Sequence, residues 1–78
     1  MALFKLSIPN DYDSEADYAA MEEAGDDYEN IAAAAKEAGL VYVAETDYGA
    51  EWKGTDDQFA ACVAALPVWA KRYTRKIR

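Results

Sequence analysis

The 78-residue sequence contains no histidine and a single cysteine. Without histidine there is no Ser–His or Cys–His nucleophile pair, no histidine metal site and no imidazole general base. The lone thiol, Cys62, has no partner for an internal disulfide, and an unstapled domain of this size fits a reducing compartment better than secretion. Four scattered glycines supply no phosphate-cradling loop, and with only two prolines the chain is not built for disorder. No apolar run approaches the roughly 18 residues of a membrane span. The opening MALFKLSIP stops at Pro9, short of the apolar core of a signal peptide. The expectation is a soluble, cytoplasmic protein with no membrane contact.

What is present suffices for one small domain, residues 1–78. Residues of apolar or aromatic type make up 53% of the chain, but many are alanine, which buries little area. The core is therefore thin, since domains near this size bury only about 60% of their unfolded surface. The large candidate anchors are Leu3, Phe4, Leu6, Ile8, Met21, Ile31, Leu40, Val41, Val43, Trp52, Phe59, Val63, Leu66, Val68, Trp69 and Ile77.

Charge is placed unevenly. Residues 1–57 carry all 15 acids and three bases, a net of −12, whereas residues 58–78 carry five bases and no acid. Most of the acid lies in one stretch, NDYDSEADYAAMEEAGDDYEN from Asn10 to Asn30, with nine carboxylates, three tyrosines and no base. An acidic body is repelled by phosphate and by anionic membrane surfaces, so direct nucleic-acid binding is disfavoured and a basic protein partner favoured.

Period-two alternation over residues 2–8 predicts a half-buried strand near an edge, closed by Pro9. Ser14 with Asp17 three residues on resembles a capping box, and a helix is predicted from Glu15 to Ala24. Gly25 suits a helix C′ position. Asp26, Asp27 and Glu29 then supply the acidic first turn of a second helix ending at Gly39. A continuous helix would keep Met21, Tyr28, Ile31 and Ala35 in phase, but one interior glycine costs about 1 kcal/mol, so a break is favoured. Leu40–Ala44 reads as a central strand, pairing through the turn Thr46–Gly49 with Ala50–Lys53. Thr55 and Gln58 form a capping box for a helix ending at Pro67, with Phe59, Val63 and Leu66 inward and Cys62 beside them. The last segment, VWAKRYTRKIR, is strand by propensity and helix by its spacing of Trp69, Tyr73 and Ile77; propensity favours strand. The expected fold is α+β: helices on one face of an antiparallel sheet, in the ferredoxin-like order β-α-β-β-α-β with the first helix split near Gly25.

The chemistry on offer is sparse. Cys62 reads as a buried structural thiol. Asp11, Asp13, Glu15 and Glu22 fall at positions one, three, five and twelve of a calcium loop, but Ala16 occupies the sixth position, where the loop needs glycine. Weak, nonspecific divalent binding outranks a specific site. No enzyme and no cofactor are expected. The basic tail, Lys71, Arg72, Arg75, Lys76 and Arg78, reads first as neutralising the acidic segment within the fold.

Helix capping accounts for several of the acids but not for the absence of lysines at i+4, nor for tyrosines set among them. Carboxylate rows on a helical frame, with aromatics between, offer a basic groove what a phosphate backbone offers. The residues expected to meet a partner are Asp11, Tyr12, Asp13, Glu15, Asp17, Tyr18, Glu22, Glu23, Asp26, Asp27 and Glu29. In size, acidity and lack of histidine the chain resembles the small phage-encoded inhibitors that include anti-CRISPR and DNA-mimic proteins. That resemblance implies an inhibitor acting on a basic surface, such as a DNA-binding subunit of a CRISPR effector complex. The alternatives are an accessory subunit docking a basic sister chain and a weak metal-binding module.

Overall fold

The alternating N-terminal residues form β1 (Ala2–Ser7) in the computed structural model, which describes residues 1–9, 15–25 and 28–78. Phe4 and Leu6 are fully buried on one face of the strand, and Lys5 lies on the other, as a period of two requires. β2 (Val41–Thr46) and β3 (Gly49–Gly54) form a hairpin across the two-residue loop Asp47-Tyr48. β4 (Thr74–Lys76) completes a four-stranded sheet in the order β2-β3-β1-β4, with every neighbouring pair antiparallel.

This order exchanges the expected positions of two strands. β1 is interior, flanked by β3 and β4, and β2 is at the edge. The tight loop commits β2 to one side of β3, and β1 takes the other. Val41 and Val43 are consequently 49% and 44% exposed rather than central, and Val43 is the unpaired residue of a bulge between Tyr42 and Ala44.

Among the described residues four helices accompany the sheet: α1 (Glu15–Ala24), α2 (Tyr28–Glu37), α3 (Asp56–Ala65) and α4 (Val68–Lys71). The break between α1 and α2 falls at Gly25, whose φ of +71° lies in the left-handed region that glycine enters at no steric cost. The Gly25 N–H donates to the Glu22 carbonyl at 3.0 Å and closes the last turn of α1. The capping box of α3 is complete: Gln58 N–H donates to Thr55 Oγ1 at 3.1 Å, and Thr55 N–H donates to Gln58 Oε1 at 2.9 Å. On α3 the fully buried side chain is Cys62, with Phe59 and Val63 at the margin.

α2 packs beside α3, and both cover the face of the sheet that carries Phe4, Leu6, Ala50 and Trp52. Phe4 stacks on Phe59 with ring centroids 4.2 Å apart, and Trp52 meets Tyr42 edge to face. Trp52 Nε1–H donates to the Tyr28 hydroxyl at 2.7 Å, fixing the start of α2 to the middle of β3.

The last segment divides its two tendencies. Pro67 has the extended conformation of an N-cap and starts the single turn α4, which buries Trp69 and Ala70. The chain then extends into β4, and the ladder continues beyond it through Leu3 N–H to the Arg78 carbonyl and Ile77 N–H to the Leu3 carbonyl. Val68 and Ile77 stay exposed.

Candidate interaction surface

α1 sorts its acids by side. At 100° per residue, Asp17 and Met21 share one face, and both are buried. Glu15, Glu22 and Glu23 project from the opposite side and are exposed. Glu29, in the first turn of α2, is exposed as well. Neither helix offers these carboxylates a base four residues on, and Lys36 is the one cation in α1 and α2.

Asp17 departs from the expected partner surface. Its carboxylate is only 9% exposed; it accepts a hydrogen bond from the Tyr73 hydroxyl at 2.9 Å and meets Arg72 Nη2 at 3.5 Å. The acid that sequence reasoning placed outward is therefore the anchor of the C-terminal segment. Of the basic tail, Arg72 meets the acidic stretch here, whereas Lys76 Nζ lies 2.9 Å from Asp56 Oδ1, outside that stretch.

The tyrosines also turn inward. Tyr18 is half-buried against the core. Tyr28 is half-buried too, and burial pushes its hydroxyl above the ordinary tyrosine range while the Trp52 hydrogen bond partly offsets the shift. Neither is a free aromatic between carboxylates; both serve packing. Asp11, Tyr12, Asp13, Asp26 and Asp27 lie outside the described residues. The surface that remains of the expected site is Glu15, Glu22, Glu23 and Glu29.

Residues 15 to 22 are regular helix, so the second half of the suggested calcium pattern does not have the geometry of a loop. Among the described residues no group of three or more acidic or cysteine side chains is arranged to hold a metal ion. Cys62 is buried, and desolvation raises its thiol to about 11, so at neutral pH it is a protonated thiol.

A second surface escaped the sequence. A groove of about 450 Å³ opens where the hairpin tip meets β1, β4 and the residues after α4, and its lining includes Lys5, Arg72, Arg75, Tyr48 and Tyr73. These cations are dispersed along the chain, and only the antiparallel pairing of β1 with β4 brings them together. Among the described residues no helix is long and apolar enough to cross a membrane. No protein-family model matches the chain, and neither a curated protein nor a solved structure does.

Proposed function

We propose that the protein is an acidic interaction module that works in the cytoplasm by occupancy, without a cofactor. In this reading it blocks a nucleic-acid-binding effector, as anti-CRISPR inhibitors do, by laying α1 and the start of α2 on the effector's basic surface. The observation that carries the reading is the outward placement of Glu15, Glu22 and Glu23 on α1, a helix that contains no lysine or arginine. Like charges held together raise the free energy of the isolated protein, and a basic partner relieves that repulsion. Binding of this kind is fast and steeply salt-dependent. The test is the double variant Glu22→Lys, Glu23→Lys, checked for folding by circular dichroism and for inhibition of DNA binding by a CRISPR effector complex. The variant is expected to fold and fail to inhibit. A folded variant with full inhibition overturns the reading.

The open edge of β2 favours a second reading, an accessory subunit. Val41, Tyr42 and Val43 are exposed on a strand with one side unpaired among the described residues, the kind of edge to which another chain can add a strand. Association through that edge would survive high salt, which separates it from docking through the carboxylates.

A further inference from the structure

We propose that the groove between the hairpin tip and β4 is a phosphate-binding site, its anion held by Lys5, Arg75 and Arg72 beside the ring of Tyr48. This inference does not rest on the acidic face.

Lys5 is paired with Arg75. They are directly opposite residues of the antiparallel β1–β4 ladder and lie on the same face, away from Phe4 and Leu6. Like charges placed opposite one another are destabilising. Glu51, opposite Lys5 on the other side, is the obvious relief. Yet among the described residues neither Lys5 nor Arg75 has a carboxylate within 4.0 Å, whereas Arg72 and Lys76 do. Two opposed cations are thus held with no carboxylate within 4.0 Å among the described residues, in a protein of net charge −7.

The backbone of Tyr48 is unusual. Its φ is +63°, the one left-handed value outside glycine among the described residues. For a bulky side chain that conformation is an outlier, and such strain gathers at binding sites. It is held there by the Ile8 N–H, which donates to the Tyr48 carbonyl at 2.8 Å. Glycine or asparagine would fill the turn without strain; tyrosine instead puts an aromatic ring on the wall of the groove.

Charge and size define the ligand class. Lys5 and Arg75 supply two cations with no carboxylate within 4.0 Å among the described residues, Arg72 adds a third whose charge is shared with Asp17, and Asp47 is the one anion in the lining. A phosphate monoester or free phosphate carries about −1.5 to −2 at neutral pH, a better match than a single carboxylate. Arginine forks suit the paired oxygens of phosphate. Arg72 is pre-positioned by Asp17, 3.5 Å from its guanidinium. The volume is within the range of small-molecule sites.

The test is an NMR titration of the ¹⁵N-labelled full chain with phenyl phosphate, with inorganic phosphate and with phenol, repeated on Lys5→Gln and Arg75→Gln. Saturable shifts of the Lys5, Tyr48 and Arg75 amides are expected with the phosphates and not with phenol. Tighter binding of phenyl phosphate assigns the site to a monoester, and equal binding assigns it to free phosphate; either supports the proposal. Each variant is expected to bind about tenfold more weakly, the loss of one charged contact. Without ligand each should melt no lower than the original chain, because the opposed charges are relieved. Absence of saturable shifts, undiminished binding by both variants, or a duplex oligonucleotide binding where the small phosphates do not would overturn it. So would lower melting of both variants, which would place Lys5 and Arg75 in the service of the fold.

Discussion

The Tyr73 hydroxyl donates to the buried carboxylate of Asp17 at 2.9 Å and so fastens the segment after α4 to the inner face of α1. Arg72 adds an ion pair to the same carboxylate, but its side chain is 67% exposed. An exposed pair contributes under about 1 kcal/mol, and a hydrogen bond to a charged acceptor about 1.5–3 kcal/mol. Tyr73→Phe is therefore expected to lose more stability in urea denaturation than Arg72→Gln. If Arg72→Gln proves the more damaging, the ion pair rather than the hydrogen bond is the fastener.

Trp52 Nε1 depends on the Tyr28 hydroxyl. Tyr28→Phe keeps the ring and removes the acceptor, leaving a buried donor unpaired at a cost of about 1–3 kcal/mol. The check is chemical denaturation followed by tryptophan emission.

Position 43 is expected to be forgiving. Val43→Asp adds a charge to an exposed bulge and should cost under about 1 kcal/mol. Ala50→Asp, on the buried face of β3, should prevent folding because it buries an unpaired carboxylate. Comparison of the two melting curves tests the strand order directly.

Gly49 approaches β1 so closely that a Cβ there would fall 2.0 Å from the Leu6 carbonyl oxygen. Backbone must move to admit it, so Gly49→Ala should destabilise by about 1–3 kcal/mol. A variant that melts like the original chain would mean that the β1–β3 spacing is wider.

Alkaline pH should weaken the fold through Cys62. Its thiol titrates near 9.0 when unfolded and near 11 when folded. Between these values the folded state holds the proton that the unfolded state has lost. The contribution is thus fully present below pH 9.0 and is lost as pH rises through 11. Cys62→Ala, although less stable from the cavity it opens, should show a shallower decline over that window.

The elements whose signals are local were legible in the sequence. Thr55 and Gln58 announce their capping box, Gly25 its helix break, and Asp47-Tyr48 the hairpin between β2 and β3. Strand position was not legible. Leu40–Ala44 has the composition of a central strand, but which strand lies inside the sheet depends on who takes the far side of β3, and hydrophobicity along β2 carries no record of that. The inward turn of Asp17 was equally hidden, because its partners Arg72 and Tyr73 lie far along the chain. The groove was missed for the same reason, since Lys5 meets Arg75 only through the ladder.

The interior position of β1 also sets an order on folding. β2 and β3 can zip together through a two-residue loop, a local event on the microsecond scale. β1 has no near neighbour in sequence to pair with: Phe4 must find Trp52 on one side and Lys76 on the other. Both searches close long loops, whose entropy is lost before any contact repays it. The hairpin and α3 thus form the natural nucleus, and β1, which fills the core with Phe4 and Leu6, docks after the barrier has been crossed. Substitutions at Phe4 should then speed unfolding far more than they slow folding, whereas those at Trp52 should act on both rates.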